Sequence, residues 1–384
     1  MVVYLGTKPV GVNLIKYIEK ETGGWQPDPL WPDIKKITDE APEKQGYAKF
    51  GLLCYGFSDS FSATIGTLFS EIITSDGATY TSGSITHTWD KAKDIIDSNG
   101  LPVRYIIVYA QITRIYSNGF SYDDFPDVVF AYLKGTFDNG NFGFFSDQKF
   151  LQHVEINGSL TLNTTSGIFV GCSSLKEVPN GITFAKGSST IQSVTFPFSG
   201  TKITKFPDGF IPVDGVSVSS GFSAWPFLPE IEILPEFFFH LNYTSLDYMG
   251  DGEETFASLI KIPDGLDFSN VTSFGYYSWR NLPNLIYAGT VNMSSNTSSF
   301  AASRTPFNVP LLQEIKCTLP SNTNVWFNKS NNISIESFRF MADNAPDVTA
   351  TPRTLTIGST NISRCNEADP TIITDLNAKG WTVA

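Results

Sequence analysis

A short apolar phrase returns at a fixed interval in the second half of the chain, and this periodicity constrains the fold more than any other feature. The phrase begins at Leu175, Ile203, Ile231 and Leu259, which are 28 residues apart each time. Each copy has a second apolar residue three positions later, followed by proline, and three of the four continue with Asn-Gly or Asp-Gly. Such repeats mark units that stack, because one unit cannot bury its own apolar face.

The spacing within each copy predicts a short strand followed by a turn. The two apolar side chains point inward, while the proline and the Asn/Asp-Gly pair end the strand and turn the chain. Weaker copies begin at Leu151, Leu282 and Leu312. An aromatic residue precedes each clear copy, and we expect it to fill the interior on the return side: Phe169, Phe198, Phe227 and Phe256.

These residues resemble the BspA-type leucine-rich repeat, whose units read roughly F-x-x-C-x-x-L-x-x-I-x-I-P. The best match runs from Phe169 through Cys172, Leu175 and Val178 to Pro179, and the resemblance covers about residues 150–330. Only this unit keeps the cysteine. The resemblance implies a solenoid that recognises surfaces, either on bacteria or in proteins of phages that infect gut bacteria.

The predicted fold is mostly β and has three parts. Residues 1–145 form an α+β or β-rich amino-terminal domain for anchoring or docking, residues 146–334 form the leucine-rich-repeat solenoid, and residues 335–384 form an α/β cap. Apolar periodicity and turn residues predict the elements within the two flanking parts. The predicted strands are 47–57, 103–115, 128–133, 353–357 and 381–384, and the predicted helices are 90–99, 335–344 and 366–379.

Charge and hydropathy exclude several classes of function. The net charge is −12 and no cluster of Lys and Arg offsets it, so the chain is not expected to bind nucleic acid. The first residues lack the basic start and apolar core of a signal peptide. No apolar stretch is long enough to span a bilayer, so membrane insertion is not expected either.

No pattern in the sequence predicts a catalytic, metal or cofactor site. His87, His153 and His240 are far apart, and the four scattered cysteines are expected to be reduced and mostly buried. There is no G-x-S-x-G motif, phosphate loop or dinucleotide fingerprint. Acidic runs at 123–127 and 247–254 contain ligands that suit calcium but match no EF-hand loop, so calcium binding stays open.

Aromatic residues between the repeated strands are the better candidates for recognition. Aromatic rings cover the apolar faces of sugars, and Tyr and Trp are enriched at protein interfaces. For each of these residues, filling of the core is the competing interpretation. The predicted binding residues are Tyr276, Tyr277, Trp279, Arg280, Tyr243 and Tyr248.

These observations favour a non-enzymatic fibre, spike or decoration protein of a bacteriophage virion. Its amino-terminal domain would contact other virion proteins, and its repeats would face a glycan or protein of the host surface. A virion assembled in the cytoplasm needs no export signal. Two alternatives remain, namely a bacterial cell-surface adhesin without its signal peptide and a polysaccharide depolymerase with surface carboxylates. The ligand, the oligomeric state (a homotrimer is one option) and a head or tail location stay open.

Overall fold

The structure is a computed structural model, and the part of the chain that it describes falls into two compact units. The amino-terminal unit contains residues 1–185 and 197–202, and the carboxy-terminal unit contains residues 186–196 and 203–384. The described residues are 4–5, 8–9, 26–65, 69–111, 127–140, 145–162, 167–184, 190–191, 197–210, 217–218, 228–240, 242–243, 245–246, 256–265, 270, 273–274, 282–295 and 309–384.

The amino-terminal unit is built around one large sheet. Its elements are β1 (Tyr4–Leu5), β2 (Lys8–Pro9), α1 (Ile34–Glu40), β3 (Tyr47–Tyr55), β4 (Ser60–Ile65), β5 (Phe69–Thr74), β6 (Thr79–Tyr80), β7 (Gly83–Thr88), a 3-10 turn (Lys91–Lys93), β8 (Ile95–Ile96), β9 (Pro102–Gln111), β10 (Val128–Gly140), β11 (His153–Leu162) and β12 (Ile182–Phe184). The sheet order is β12-β11-β10-β3-β9-β5-β6, with β8 also on β9, while β4 pairs with β7 and β1 with β2.

Strand β3 lies at the centre of this sheet because it is apolar on both faces. Leu52 and Leu53 point to opposite faces and are 0% and 1% exposed. Helix α1 covers one face, and its first turn is capped by Asp33, whose side chain accepts from Lys36 N over 3.1 Å. A Cβ at Gly51 would overlap Thr38 Oγ1, so glycine at this position lets α1 pack closely on the sheet.

The large sheet is mixed in direction. Strands β3 and β9, and likewise β3 and β10, pair antiparallel, whereas β10 pairs with β11 and β11 with β12 in parallel. The strands predicted at 47–57, 103–115 and 128–133 correspond to β3, β9 and β10; β3 ends at Tyr55, β10 continues to Gly140, and residues 112–115 lie outside the described residues. The first parallel pairings of the chain therefore belong to the same sheet as the amino-terminal antiparallel strands.

In its described residues, the carboxy-terminal unit contains shorter strands and three α-helices. Its elements are β13 (Thr190–Ile191), β14 (Ser217–Val218), a 3-10 turn (Glu236–His240), β15 (Asn242–Tyr243), β16 (Ser245–Leu246), β17 (Lys261–Ile262), β18 (Ser273–Phe274), β19 (Tyr287–Asn292), β20 (Glu314–Thr318), β21 (Val325–Trp326), α2 (Ile335–Asn344), β22 (Arg353–Thr356), α3 (Gly358–Ala368), α4 (Thr371–Ala378) and β23 (Trp381–Val383).

The predicted leucine-rich-repeat solenoid is wrong as a description of the fold. A solenoid needs one continuous sheet, but the described strands of this unit form separate small parallel sheets: β13-β14-β15, β16-β18, β17-β19-β20 and β21-β22-β23. Several of these strands have only two residues, and prolines such as Pro207, Pro235 and Pro263 follow the repeated apolar pairs. Proline donates no hydrogen bond to a ladder, so the pairing stops soon after it starts. The prediction that the chain is mostly β is partly consistent with the structure, in which strands outnumber helices among the described elements.

The first apolar position of each clear copy is nevertheless buried, as the spacing predicts. Leu175, Ile203, Ile231 and Leu259 are all 0% exposed. Within the amino-terminal unit, the aromatic residues of successive repeats stack. The rings of Phe145 and Phe169 are 5.8 Å apart and those of Phe169 and Phe198 are 5.4 Å apart, with interplanar angles of 3° and 12°.

Two predicted helices differ from the structure. Residues 90–99 form one 3-10 turn and then β8, because Ile95 and Ile96 pair with Val103 and Pro102 of β9. The helix predicted at 366–379 is instead the pair α3 and α4, which is broken at Asp369–Pro370. The helix at 335–344 and the strands at 353–357 and 381–384 are confirmed as α2, β22 and β23, the strands ending one residue earlier than predicted.

Candidate functional site: an exposed face of parallel strands

Strands β17, β19 and β20 form a parallel sheet with one buried face and one face in solvent. Ile262, Ala288 and Ile315 occupy matching positions on the buried face, and each is 1% exposed. Because side chains alternate along a strand, the residue before each of them points the other way. The pattern is the φ-x-x-φ spacing of the repeats, in which two outward positions separate the two buried ones and the second of them joins this face.

The opposite face carries a row of four side chains, here called the outer row: Ile233, Lys261, Tyr287 and Glu314. Lys261, Tyr287 and Glu314 are direct partners across the three strands, and Ile233 is bridged in parallel to Lys261. Ile233 is 56% exposed and gives the row an apolar end. From one strand to the next, the row therefore presents an apolar, a cationic, an aromatic and an anionic group, about 4.8 Å apart.

Tyr287 is held in place by its neighbours on this face. Its hydroxyl donates to Asp264 Oδ2 over 2.9 Å, and Lys261 Nζ lies 5.1 Å from the centroid of its ring. The hydrogen bond to Asp264, with smaller contributions from burial and from the charges of Asp264 and Glu314, raises the pKa of Tyr287. The phenol therefore stays protonated at neutral pH, and its hydroxyl and ring both have partners on this face.

Gly289 explains why Asp264 can reach this position. A Cβ at Gly289 would lie 2.5 Å from Pro263 O and 2.8 Å from Asp264 Cα. Glycine at this position therefore lets β19 pack closely against the turn at Pro263 and Asp264. The register between β19 and β20 also shifts between Ala288 and Thr290. As a result, Thr290 Oγ1 comes within 3.4 Å of Asp264 Oδ1, and one carboxylate is shared by two side chains.

The rest of the face is polar and balanced in charge. Thr290 is the partner of Lys316, and Thr318 Oγ1 donates to Asn292 Oδ1 over 2.7 Å. The two lysines at positions 261 and 316 are matched by the two carboxylates at positions 264 and 314. A face of this kind binds by local complementarity of shape, hydrogen bonds and charge rather than by long-range attraction to a polyanion.

Most of the predicted binding residues fall outside the described part of the chain. This applies to Tyr248, Tyr276, Tyr277, Trp279 and Arg280. Tyr243 lies in β15, where its backbone pairs in parallel with Val218, and only its backbone is described. The prediction at these six positions stays a prediction.

The sequence reasoning missed Lys261 and Tyr287 of the outer row and Asp264 beside them, although the signal was present. Lys261 and Asp264 belong to the repeated phrase itself, at the positions between and after its buried pair. Tyr287 follows Leu285, the second apolar residue of a weaker copy. Reading the phrase for its outward positions as well as its inward ones would have found all three.

His87 takes part in the packing of the amino-terminal unit. His87 is 4% exposed; its Nε2 lies 3.1 Å from Asp76 Oδ2, and its Nδ1 lies 2.9 Å from Tyr80 Oη. Burial lowers the pKa of His87, although Asp76 opposes this effect, so the imidazole is neutral at pH 7. Phe61 and Trp89 pack on the ring, with centroids 5.2 and 4.6 Å away.

The four cysteines are free and buried, as predicted: Cys54, Cys172, Cys317 and Cys365. In the described ranges, no three or more His, Cys, Asp or Glu side chains are placed to hold a metal ion together. Asp127, from one of the acidic runs considered for calcium, is 2% exposed and accepts from Ser58 Oγ over 3.0 Å. Among the helices described, none has both the length and the apolar character needed to cross a membrane.

No known protein family, curated protein or solved structure matches this chain.

Proposed function

We propose that this chain is a non-enzymatic recognition protein that uses the outer row and its polar neighbours to bind a glycan or protein of a host surface. The setting we propose is a bacteriophage virion, in which the chain is a fibre, spike or decoration subunit. The observation that carries the proposal is the outer row of Ile233, Lys261, Tyr287 and Glu314. It lies on one face of the sheet β17-β19-β20, and the opposite face of that sheet is buried.

The rigidity of this face supports a binding role. Tyr287 is restrained by Asp264 and Lys261, so it loses little side-chain freedom when a ligand covers it. Binding to pre-ordered groups costs less entropy than binding to mobile ones. Tyrosine is also enriched among the residues that dominate binding energy at interfaces.

The exposed isoleucine supports the same role. Ile233 is 56% exposed at one end of the row, next to Lys261. A ligand that covered Ile233 would remove its apolar surface from water while the polar groups at the other end of the row kept hydrogen-bonding partners. An apolar contact flanked by polar groups is the usual composition of a protein recognition site.

Binding of the labelled full chain to intact bacterial cells tests the proposal. Tyr287→Ala should weaken binding by about 2 kcal/mol, which is roughly thirtyfold in Kd. Lys329→Ala is the matched control, because Lys329 is exposed and lies outside the outer row. Equal binding by the wild type and Tyr287→Ala would show that the outer row is not the binding site.

Two further measurements separate the parts of the proposal. Periodate treatment of the cells should abolish binding if the ligand is a glycan and leave it intact if the ligand is a protein. Mass spectrometry of purified phage particles tests the virion setting. Particles that lack the chain would overturn that setting while leaving the binding result unaffected.

A further inference from the structure

A cleft in the amino-terminal unit is separate from the outer row and has the composition of a ligand site. It has a volume of about 600 Å³ and opens between residues 26–35 and the face of β3, β10 and β11. That volume lies within the range of small-molecule sites, which is roughly 300–1,000 Å³. Both sides of the cleft belong to the same compact unit.

The floor of the cleft is apolar and aromatic. Ile34, Leu53 and Phe130 line it and are 3%, 1% and 4% exposed. Trp31 also lines it and is half-buried, and its indole nitrogen is buried. The exposed part of the Trp31 side chain therefore consists of ring carbons, which suit contact with another apolar surface.

The aromatic part of the floor is held rigidly before any ligand arrives. Trp31 N donates to Asp28 O over 3.0 Å, and the Trp31 ring meets Tyr55 edge-on at 6.3 Å and 79°. Prolines at positions 27, 29 and 32 also line the cleft and restrict the backbone on both sides of Trp31. A site that is ordered in advance loses less conformational entropy on binding.

The wall above this floor supplies paired donors and acceptors. Lys35 Nζ lies 2.6 Å from Glu155 Oε1, and these side chains are 48% and 39% exposed. His153 stacks on Phe130 with ring centroids 5.7 Å apart and contacts Glu177 through Nδ1 at 2.5 Å. An exposed ammonium next to an exposed carboxylate can donate to one hydroxyl and accept from the next.

The charge balance narrows the class of ligand. The ammonium of Lys35 faces the carboxylate of Glu155, and His153 contacts the carboxylate of Glu177. Asp28 and Asp33 add two further acidic side chains to the lining. An anionic ligand would find no surplus positive charge here and would have to approach a net negative wall.

We propose that this cleft binds a neutral saccharide. The apolar face of a sugar ring would lie on the exposed ring carbons of Trp31, and neighbouring hydroxyls would bond with Lys35 and Glu155. This inference does not rest on the proposed role of the outer row, since the two sites share no residue. It adds a second site to the chain and assigns the chemical class of its ligand.

Titration calorimetry on the full chain tests the ligand class. The probes are neutral hexasaccharides of β-linked glucose and α-linked mannose, a hexamer of galacturonic acid, and a hexa-arginine peptide. We expect binding of a neutral hexasaccharide and none of the galacturonate. Absence of binding by both neutral probes at millimolar concentration would overturn the proposal, and so would preferential binding of the galacturonate or the peptide.

Matched variants locate the binding in the cleft. Trp31→Ala should weaken it at least about tenfold, the order expected for loss of one aromatic contact. Lys35→Met should also weaken it, whereas Lys36→Met, on the adjacent and exposed position of α1, should not. If Trp31→Ala fails to fold, Glu155→Gln takes its place, because Glu155 is half-exposed. Binding that survives in Lys35→Met and Glu155→Gln would exclude the cleft as its location.

Discussion

Arg104 and Asp94 form a bidentate ion pair inside the amino-terminal unit. Arg104 Nε donates to Asp94 Oδ1 over 2.6 Å and Nη2 donates to Asp94 Oδ2 over 2.7 Å, with the side chains 2% and 8% exposed. A third donor, Nη1, bonds to Ser58 O over 2.7 Å, and the guanidinium lies 5.0 Å from the centroid of the Trp89 ring. The buried guanidinium of Arg104 and the buried carboxylate of Asp94 therefore compensate each other's charge, and removing either one leaves the other uncompensated.

The first prediction is that removing one partner destabilises the unit more than removing both. Asp94→Leu leaves the buried guanidinium of Arg104 uncompensated and should lower the free energy of unfolding by about 3–5 kcal/mol. Adding Arg104→Met to Asp94→Leu should restore part of that loss. Urea unfolding of the three proteins measures both values. A double variant less stable than Asp94→Leu alone would contradict the prediction.

The second prediction concerns acid. Burial lowers the pKa of His87 from its ordinary value of 6.5, so the unfolded chain takes up this proton before the folded one does. The stability that the neutral imidazole contributes is complete above pH 6.5 and is lost as the pH falls below it. The free energy of unfolding should therefore decrease from pH 7.5 to pH 5. His87→Gln should flatten this slope.

Asp76 adds a loss of the same sign at lower pH. Burial by itself raises the pKa of Asp76, but hydrogen bonds from Thr74 and Asp90 N, together with His87, bring it below its ordinary value of 3.8. A carboxyl with a lowered pKa stabilises the fold above its unfolded value and loses that contribution as the pH falls. An unchanged slope in His87→Gln between pH 7.5 and 5 would assign the acid sensitivity to groups other than this pair.

The third prediction is that Gly289 fixes the geometry of the outer row. In Gly289→Ala the added methyl group meets Pro263 O and Asp264 Cα, so the turn must move away from β19. We expect a loss of about 1–3 kcal/mol in unfolding free energy, as for other overpacked sites, together with weaker binding to cells. Thr290→Ala is the control, because it removes only the 3.4 Å contact with Asp264 and leaves the backbone unchanged. Equal stability and binding in both variants would contradict the role of Gly289.

The fourth prediction is that all four thiols are unreactive in the folded chain. Burial raises the pKa of Cys54, Cys172 and Cys317, and it raises the pKa of Cys365 to about 11. The thiolate is the reactive form, so a disulfide reagent at pH 8 should modify none of them in the native state and all four in denaturant. A thiol that reacts within seconds in the native protein would contradict the prediction, because it would show that the residues around that cysteine open readily to solvent.

The sequence predicted those elements whose stability depends on their own residues. Helix α2 was predicted because Phe338 and Met341 share one face, and both are buried; the structure adds a cap, in which Ser334 Oγ accepts from Ser337 N over 3.1 Å. Strands β3 and β9 were found because they are long apolar runs. The burial of the repeated apolar positions followed in the same way from their spacing.

The sequence failed where the outcome depends on distant partners. Residues 90–99 have a helical pattern, yet Ile95 pairs with Val103 and the backbone there is extended. The continuity of the parallel sheet was likewise mispredicted, because the repeat spacing does not set how many residues on each side of a proline stay paired. The cleft at Trp31 was also missed, since Phe130 and His153 join it only through the pairing of β10 with β11.

The parallel pairing of β10 with β11 determines which fragments of the amino-terminal unit can be expressed in soluble form. Phe130 to Phe137 of β10 are in register with His153 to Leu160 of β11. A fragment that stops at residue 145 would expose this hydrogen-bonding edge of β10, whose side chains are largely apolar, and bare edges of that kind promote aggregation. Fragments of the amino-terminal unit should therefore retain β11 and β12, and expression of the shorter piece is expected to yield insoluble protein.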